Sequence, residues 1–388
     1  MNVHYAEHLS KAKKIQLGGY YTPKILVDIV HSIIKPYLNE KTIIFDNAGG
    51  CGSFIFGLET YNYRISDWDK NSCEFLETKF EIKNIYNTNS LLNVSRERYN
   101  ISSDDFLIMI GNPPYNDTTS EFKNGEKGSF HCDEDLKDRD LGISFLKSYN
   151  KLKANIVCVL HPLSYLIKET NFKRLKEFKD NYNLLKGIIF SSGLFKETGN
   201  QKFPIVIALY ERNIQGMNFE YIKNFEFEVL DRDNKFILSK YQTTDGFINK
   251  YPPKKNDLQL SPIGIYYYTF RDFNSLKKNA SFLDYKHPNS IVVTLDNFYQ
   301  YAYLYCLKEL FKPKDGWLYG NLSPLINFEN FEKNKIYYII YSLKNNKVLK
   351  NIDIGHKKMI LNFYGIDDSY LNIDNIEKTI IESFEMLV

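Results

Sequence analysis

The chain has no apolar run long enough to span a bilayer. Its start, Met-Asn-Val-His-Tyr-Ala-Glu-His, also lacks the basic stretch and apolar core of a signal peptide. Hydrophobic residues make up 43% of the sequence and charged residues 25%, which is the range of globular proteins. These features predict a soluble cytoplasmic protein with no membrane partner.

Cysteine is scarce and unpaired in sequence. The five cysteines are widely separated, odd in number, and include no C-x-x-C pair: Cys51, Cys73, Cys132, Cys158 and Cys306. Zinc sites and disulfide frameworks need close or even-numbered sets. The sequence therefore predicts reduced, structural cysteines and no bound metal.

The chain also lacks a strong excess of charge of either sign. Its net charge is +3 and its pI is near 8.3, so bulk electrostatics neither require nor exclude a polyanionic partner. Aromatic residues are abundant instead, with 30 tyrosines and 28 phenylalanines. Tyrosine stacks on bases in nucleic-acid sites, but it is equally common in cores and strands.

A length of 388 residues predicts two domains. The clearest linker is the Pro-rich, charged segment 251–257, Tyr-Pro-Pro-Lys-Lys-Asn-Asp. Before it, strands and helices alternate to about residue 213, which predicts an α/β domain with a mostly parallel sheet covered by helices on both faces. Residues 214–250 are predicted to form a hairpin extension of this first domain (1–250), and residues 251–388 a mixed α+β domain.

The most informative stretch is Phe-Leu-Ile-Met-Ile-Gly-Asn-Pro-Pro-Tyr, residues 106–115. The apolar run predicts a buried strand that ends at Gly111 and the two prolines. Because the prolines hold Asn112 and Pro113 extended, the strand should end in a stiff platform. The Asn112 amide, the Pro113 carbonyl and the Tyr115 ring could together bind a planar group with an exocyclic amine.

Two further polar segments follow predicted strands. A strand over 42–45 precedes the glycine-rich segment 46–54, which predicts a glycine turn between a strand and a helix, where backbone approaches a ligand closely. A second strand over 61–66 ends at Asp67, whose carboxylate is placed to accept both hydroxyls of a ribose. Trp68 beside it is either a stacking surface for adenine or a packing residue.

The segment around Asn112 resembles the catalytic loop of the amino-methyltransferases. Asn-Pro-Pro-Tyr is the form found in N6-adenine DNA methyltransferases, whereas many N4-cytosine enzymes have Ser-Pro-Pro-Tyr. Enzymes that methylate release-factor glutamine or guanine N2 of ribosomal RNA share Asn-Pro-Pro. The resemblance implies a Rossmann-like fold, S-adenosylmethionine (SAM) as cofactor, and a catalytic role for Asn112, Pro113, Pro114 and Tyr115.

The resemblance extends to the predicted cofactor residues. The glycine-rich segment is similar to Asp-Pro-Ala-Cys-Gly-Ser-Gly-x-Phe, with Asn47 standing where proline is usual; the matching residues are Asp46, Ala48, Gly50, Gly52 and Phe54. The segment Tyr-Tyr-Thr-Pro, residues 20–23, resembles the N-terminal motif that covers the methionine part of SAM in the gamma ordering of these enzymes, which implies cofactor contacts for Tyr21, Thr22 and Pro23. Thr22 is also expected to cap the helix that follows. Asn89 stands where an aspartate usually accepts the adenine amino hydrogen.

In the adenine enzymes an aromatic residue before the final antiparallel strand pair packs against the extruded base. Phe195 is the better match for this residue and Phe203 the second. A base inside a duplex must be flipped out for methylation, and Tyr115 is expected to stack on it. The domain after the linker is expected to recognise the target site, contacting phosphates through Lys277, Lys278, Lys312 or Lys314.

The order of these motifs favours a gamma-class DNA methyltransferase of the restriction-modification type, and the choice of N6-adenine over cytosine depends on Asn112. Its expected partners are double-stranded DNA and a cognate restriction endonuclease. Three alternatives remain at this point: an N4-cytosine DNA methyltransferase, a protein-glutamine or ribosomal RNA methyltransferase, and a non-catalytic DNA-binding subunit. The last is suggested by Asn47 and Asn89, which depart from the family pattern.

Overall fold

A computed structural model describes residues 22–80, 83–115, 131–195, 202–233, 235–243, 260–312, 325–326, 328–367 and 375–385. The chain divides into two compact units, residues 1–236 and 237–388. The predicted linker over 251–257 and Tyr21 both lie outside the described residues. The domain limits given above therefore stay a prediction.

The first unit is built on a nine-stranded sheet with the order β3-β2-β1-β4-β5-β7-β6-β8-β9. Strands β1 to β5 run parallel, whereas β7 is antiparallel to both β5 and β6, its neighbours. The strands are β1 Ile43–Asp46, β2 Asn62–Asp67, β3 Ile85–Asn87, β4 Leu107–Gly111, β5 Ile156–Pro162, β6 Tyr182–Ser191, β7 Pro204–Arg212, β8 Phe227–Val229 and β9 Lys235–Phe236.

The central strands are buried along their whole length, because parallel strands covered on both faces consist of nearly continuous apolar residues. The helices of this unit are α1 Lys24–Ile34, α2 Lys70–Lys79, α3 Leu141–Lys151, α4 Ser164–Ile167, α5 Glu169–Phe172, α6 Glu177–Asn181 and α7 Phe219–Asn224. Short 3₁₀ turns cover Lys35–Tyr37, Glu97–Tyr99, Glu134–Leu136, Lys173–Leu175 and Ser192–Leu194.

Helices and turns pack on both faces of the sheet. On one face, α1 buries Leu26 and Val30 in a core with alternate strand residues such as Ile44. On the other face, the Phe45 ring lies 4.6 Å from the Tyr99 ring, centroid to centroid, and His161 stacks on Tyr165 of α4 at 5.3 Å. The α/β fold with a mostly parallel, Rossmann-like sheet is therefore confirmed.

Three local predictions were wrong. Residues 47–57 form consecutive turns rather than a glycine turn and a helix, because Gly50, Gly52 and Gly57 have φ of 50°, 75° and 91°. Residues 219–224 form helix α7 rather than a strand, although β8 and β9 do extend the sheet as an antiparallel pair. Thr22 does not cap α1, whose N-cap is Pro23 with no side-chain hydrogen bond.

The second unit contains antiparallel strands and helices. β11 Tyr266–Tyr268 lies between β12 Phe282–Leu283 and β13 Ser290–Val292, and β10 Gln242–Thr243 pairs with β14 Leu325–Ile326. Leu238–Lys240 is a 3₁₀ turn. The helices are α8 Phe273–Lys278, α9 Phe298–Leu310, α10 Phe328–Lys333, α11 Lys335–Asn345, α12 Lys347–Lys350, α13 Ile354–Phe363 and α14 Ile376–Glu385.

The core of the second unit is rich in tyrosine. Tyr267 of β11 is fully buried and stacks on Tyr301 of α9 at 4.9 Å. The predicted mixed α+β character of this region is confirmed. Across the described parts of both units, no helix combines the length and the apolar character needed to cross a membrane.

Candidate active site

The predicted site residues follow strands that lie side by side in the first sheet. β1 ends at Asp46, β2 at Asp67 and β4 at Gly111, and β1 pairs in parallel with both of the others. The carboxyl ends of these three strands therefore meet at one edge. In open parallel sheets this edge is where ligands bind.

The Asn112 amide is held in one orientation at this edge. Its Nδ2 donates a hydrogen bond to Thr22 Oγ1 at 3.3 Å, and its Oδ1 accepts one from the Tyr115 hydroxyl. Thr22 is buried, so the N-terminal segment is anchored directly to the loop after β4. Because a carbonyl oxygen has two lone pairs, Asn112 Oδ1 retains the capacity for a second hydrogen bond.

One of the two prolines of this loop is less accessible than the amide. Pro113 is buried, whereas Asn112, Pro114 and Tyr115 are partly buried. Tyr115 packs against the core on the α1 face of the sheet. The four predicted catalytic residues thus form one continuous segment that is partly buried against the core.

The glycine-rich loop is fastened to the end of β2. The Gly50 N–H donates to Asp67 Oδ2 at 2.8 Å, and the Gly49 N–H donates to the Ser66 carbonyl at 3.1 Å. The other oxygen of Asp67 accepts from the Asp69 N–H at 2.8 Å. The carboxylate predicted to bind ribose hydroxyls therefore also holds the glycine-rich loop in place.

The three glycines of the loop differ in the space that surrounds them. A Cβ on Gly49 would lie 2.2 Å from Ile65 Cγ1, and one on Gly52 would lie 2.6 Å from Leu76 Cδ2. A Cβ on Gly50 would meet no atom within 4 Å. Two of the glycines are thus needed for packing, while the third faces open space.

The Asp46 carboxyl lies beneath this loop and is almost completely buried. Burial raises its pKa to about 7, the Asp67 charge adds to the rise, and a hydrogen bond from the Ala48 N–H at 3.2 Å opposes it. Gly111 allows this arrangement, because its φ is 146° and a Cβ there would lie 2.8 Å from Asp46 Oδ1. The last residue of β4 thus contacts the last residue of β1.

Asn89 and Trp68 differ in their availability. The Asn89 side chain is already engaged, since its Oδ1 accepts from the Leu91 N–H at 3.0 Å and its Nδ2 donates to the His131 carbonyl at 2.6 Å. Trp68 is 57% exposed, and the carbonyl groups of Asp67 and Trp68 both accept hydrogen bonds from Asn87 Nδ2. The cofactor roles of Asn89 and Trp68 remain predictions.

Phe195 is only 3% exposed and belongs to the core, with its ring 6.0 Å from that of Phe190. Phe203 is partly buried against the same core. The stacking role given to Phe195 stays a prediction. Tyr21 cannot be placed relative to the site, because it lies outside the described residues.

Sequence reasoning missed a buried polar group next to the catalytic loop. Tyr165 donates a hydrogen bond to Asp140, and its pKa is raised by burial, by Asp140 and by the neighbouring Tyr115. Burial also raises the pKa of Asp140 to about 6. The available signal was His161-Pro162 at the end of β5, the strand that pairs with β4.

His161 completes this group in a neutral state. Its Nδ1 contacts the Pro162 carbonyl at 3.0 Å and must donate there, so its Nε2 accepts from the Tyr210 hydroxyl at 2.7 Å. Burial lowers the pKa of His161 to about 4. No cluster of three or more His, Cys, Asp or Glu residues suited to a metal occurs in the described part of the chain.

No protein-family model and no curated protein matches this chain. Among solved structures, it is similar to a modification subunit attributed to a type I restriction enzyme of Vibrio vulnificus YJ016. The sequences are 16% identical, the TM-score is 0.41, and the match covers 62% of this chain and 56% of that one.

The chain is also similar to two further solved structures. A dimethyladenosine transferase from Plasmodium falciparum is 12% identical with a TM-score of 0.33, covering 50% of this chain and 63% of its own. A TehB-like SAM-dependent methyltransferase from Corynebacterium glutamicum is 10% identical with a TM-score of 0.31, covering 52% and 95%. At these identities and TM-scores the similarities do not indicate a function. The function is therefore argued from the residues of the site.

Proposed function

We propose that this chain is a SAM-dependent methyltransferase that methylates the N6 amine of adenine at specific DNA sites, as the modification component of a restriction-modification system. The proposal depends mainly on one observation. The Asn112 amide is fixed by Thr22, in front of two prolines, at the same sheet edge as Asp46 and Asp67. Double-stranded DNA and a cognate endonuclease are the proposed partners.

The cofactor part of the proposal is supported by the shape and charge of the glycine-rich loop. A side chain on Gly50 would occupy open space beside the loop, and the Gly50 N–H donates to the carboxylate of Asp67. The Asp67 carboxylate retains lone pairs for ribose hydroxyls. Thr22, Pro23, Ala48, Gly52 and Trp68 are the proposed neighbours of the cofactor.

The chemistry proposed for the chain's own residues is the activation of a weak nucleophile. SAM supplies an electrophilic methyl group when it is bound. The target amine is a poor nucleophile because its lone pair is delocalised into the ring. Hydrogen bonds from its two N–H groups to Asn112 Oδ1 and the Pro113 carbonyl favour a tetrahedral nitrogen whose lone pair points at the methyl group.

Thr22 has a positioning role in this scheme. Its Oγ1 accepts from Asn112 Nδ2, so in this arrangement the donor group of the amide faces Thr22 and not the amine. Tyr115 donates to the same Oδ1 and offers its ring to the flipped base. Flipping costs a few kcal/mol, which stacking on an aromatic ring partly offsets.

The proposed reaction is tested directly by its product. The purified protein is incubated with methyl-labelled SAM and unmodified genomic DNA, and the DNA is hydrolysed to nucleosides. We expect the label in N6-methyl-2′-deoxyadenosine. Label in N4-methylcytosine would overturn the choice of base, and label in RNA or protein substrates but not in DNA would overturn the choice of substrate.

The role of Asn112 is tested by substitution. Asn112→Ala should lower kcat by about 10²- to 10³-fold, the loss typical of removing one preorganised hydrogen-bonding group. SAM affinity measured by calorimetry should stay within a few-fold of that of the unaltered protein. The matched control is Asn224→Ala, at an exposed asparagine of the same unit, which should leave kcat unchanged. An Asn112→Ala protein with full activity would contradict the proposed mechanism.

A further inference from the structure

Lys277 of the second unit, a predicted phosphate contact, has a structural function instead. Lys277 Nζ donates to the carbonyl oxygens of Lys308 and Phe311 at 2.6 and 2.7 Å, at the end of α9. Burial lowers its pKa to about 8. A different surface in this unit has the charge and exposure that nucleic acid requires.

That surface is centred on helix α13, Ile354–Phe363, which contacts the rest of its unit through few side chains. Of its ten residues, only Ile360 and Leu361 are buried. Three large apolar side chains are instead exposed, namely Ile354 at 73%, Met359 at 46% and Phe363 at 50%. Exposed apolar groups of this size commonly indicate an interaction surface.

The same segment concentrates positive charge. Residues 344–363 contain five lysines and one aspartate, a net charge of +4, whereas the whole chain has a net charge of +3. The single acidic residue, Asp353, caps α13 by accepting hydrogen bonds from the N–H groups of Gly355 and His356. The remaining 368 residues therefore carry a net charge of −1, and the excess positive charge lies here.

Four of these lysines, all within residues 347–358, are what we call the basic face: Lys347, Lys350 and Lys358 are exposed, and Lys357 is partly buried. None of the four has a carboxylate of the described residues within ion-pair distance. In the first unit, by contrast, Lys223 pairs with Glu220 and Lys235 with Glu226. The basic face thus offers cations with no carboxylate partner in the described part of the chain.

We infer that α13 enters the major groove of duplex DNA and that the basic face binds the flanking phosphates, an inference that depends on the proposed function. A helix with side chains is about 10–12 Å across and fits the B-form major groove of about 12 Å. The deep, narrow major groove of duplex RNA does not admit it. Exposed Asn362 suits adenine edges, and the exposed Met359 and Phe363 suit thymine methyl groups.

The test uses the full-length protein and fluorescence anisotropy with a labelled duplex of about 30 base pairs, between roughly 50 and 200 mM NaCl. Lys357→Gln/Lys358→Gln should weaken binding about tenfold or more and reduce the slope of log affinity against log salt by about 2, since each phosphate contact contributes about 0.9. Lys223→Gln/Lys235→Gln makes the same charge change on the first unit and should leave the slope unchanged.

The controls separate the two levels of the proposal. If the unaltered protein binds no duplex, the proposed DNA substrate fails. If it binds and methylates DNA but the Lys357/Lys358 variant has the same slope, the proposed function stands and the basic face is excluded. The variant Lys347→Gln/Lys350→Gln repeats the measurement, so misfolding of one variant, detected as a lowered Tm, does not decide the outcome.

Two further arms test the choice of ligand. Duplex RNA of the same sequence should bind more weakly than duplex DNA. If the unaltered protein binds the RNA at least as tightly as the DNA, and the Lys357/Lys358 variant loses this RNA binding, the inference of DNA is overturned. Vesicles of phosphatidylserine and phosphatidylcholine should not bind. Co-sedimentation with the vesicles that the variant abolishes, together with unaltered DNA binding, would reassign α13 to a membrane surface.

Discussion

At the scale of single residues, the environment of Asp46 is the least expected feature of the site. The family pattern identifies an acidic residue at this position, but its almost complete burial follows from tertiary packing. The buried hydroxyls of Tyr63 and Tyr149 lie near enough for the Asp46 charge to raise their pKa values further, beyond the effect of burial. The carboxyl therefore lies in an environment that favours its neutral form.

This leads to a prediction about pH. The pKa of Asp46 is about 7 in the folded protein and about 3.9 in an unfolded chain. The folded state therefore binds the proton more tightly, so this contribution to stability is full below about pH 4 and is lost as the pH rises to 7. Asp46→Asn should remove this dependence and raise the free energy of unfolding at pH 8 by up to about 4 kcal/mol.

The measurement is urea unfolding of both proteins at about pH 5, 6, 7 and 8, which cover the range over which Asp46 titrates in the folded protein. Calorimetry with SAM is the companion experiment, because the loss of a carboxylate should weaken binding of a cation. A parallel dependence of stability on pH in both proteins would contradict the proposed titration of Asp46.

Asn47 illustrates what one residue changes relative to the family pattern. The amide stands where proline is usual, and its Nδ2 donates to Ser148 Oγ of α3 at 3.4 Å. Proline has no such donor. The glycine-rich loop is thereby linked to a helix about a hundred residues later, a contact that no local pattern predicts.

At the scale of elements, sequence predicted the strands well because each central strand is a short apolar run that ends at Gly, Pro or Asp. The bounds of β1, β2 and β4 differ from the predicted ones by one residue at most. The edge where the motifs meet could likewise be predicted, since parallel strands place their carboxyl ends together.

The elements that sequence did not predict have local causes. Three glycines with positive φ prevent a helix after β1. Helix α7 contradicted an apparent alternation of apolar residues, yet its N-cap was present in the sequence: Asn218 accepts a hydrogen bond from the Tyr221 N–H at 2.7 Å. The pairing of Tyr165 with Asp140 required the folded structure, because the two belong to different elements.

Gly111, the last residue of β4, lies so close to Asp46 of the neighbouring strand β1 that a side chain there should destabilise the fold. Gly111→Ala should destabilise the protein by about 3 kcal/mol, because the new Cβ would combine an unfavourable φ with a contact to Asp46 Oδ1. The control is Gly365→Ala, with φ of 63° and no atom within 4 Å of the new Cβ, which should cost only about 1 kcal/mol. Equal losses in thermal unfolding would exclude the contact with Asp46.

At the scale of the whole molecule, the chain separates the residues proposed for chemistry from those proposed for DNA binding. All of the proposed catalytic and cofactor residues belong to the unit 1–236, and the basic face belongs to the unit 237–388. The core cluster that supports the site lies entirely within the first unit. Each unit therefore has the residues for a separate part of the proposed function.

This division predicts the behaviour of a fragment. Residues 1–236 alone should unfold in a single transition and bind SAM within a few-fold of the full chain, because their core is self-contained. Their affinity for duplex DNA should fall by at least about a hundredfold. Thermal unfolding, calorimetry and anisotropy give the three values. A fragment that binds DNA as tightly as the full chain would contradict the division.

The position of β7 has a consequence for how this protein is made. β7 comes after β6 in the chain, but it lies between β5 and β6 in the sheet. While the ribosome has released only residues up to β6, neither β5 nor β6 can pair with β7, and both expose unpaired backbone groups. Completion of the sheet must wait for residues 204–212, so any pause in translation before these residues leave the ribosome extends the lifetime of an intermediate with unpaired strands.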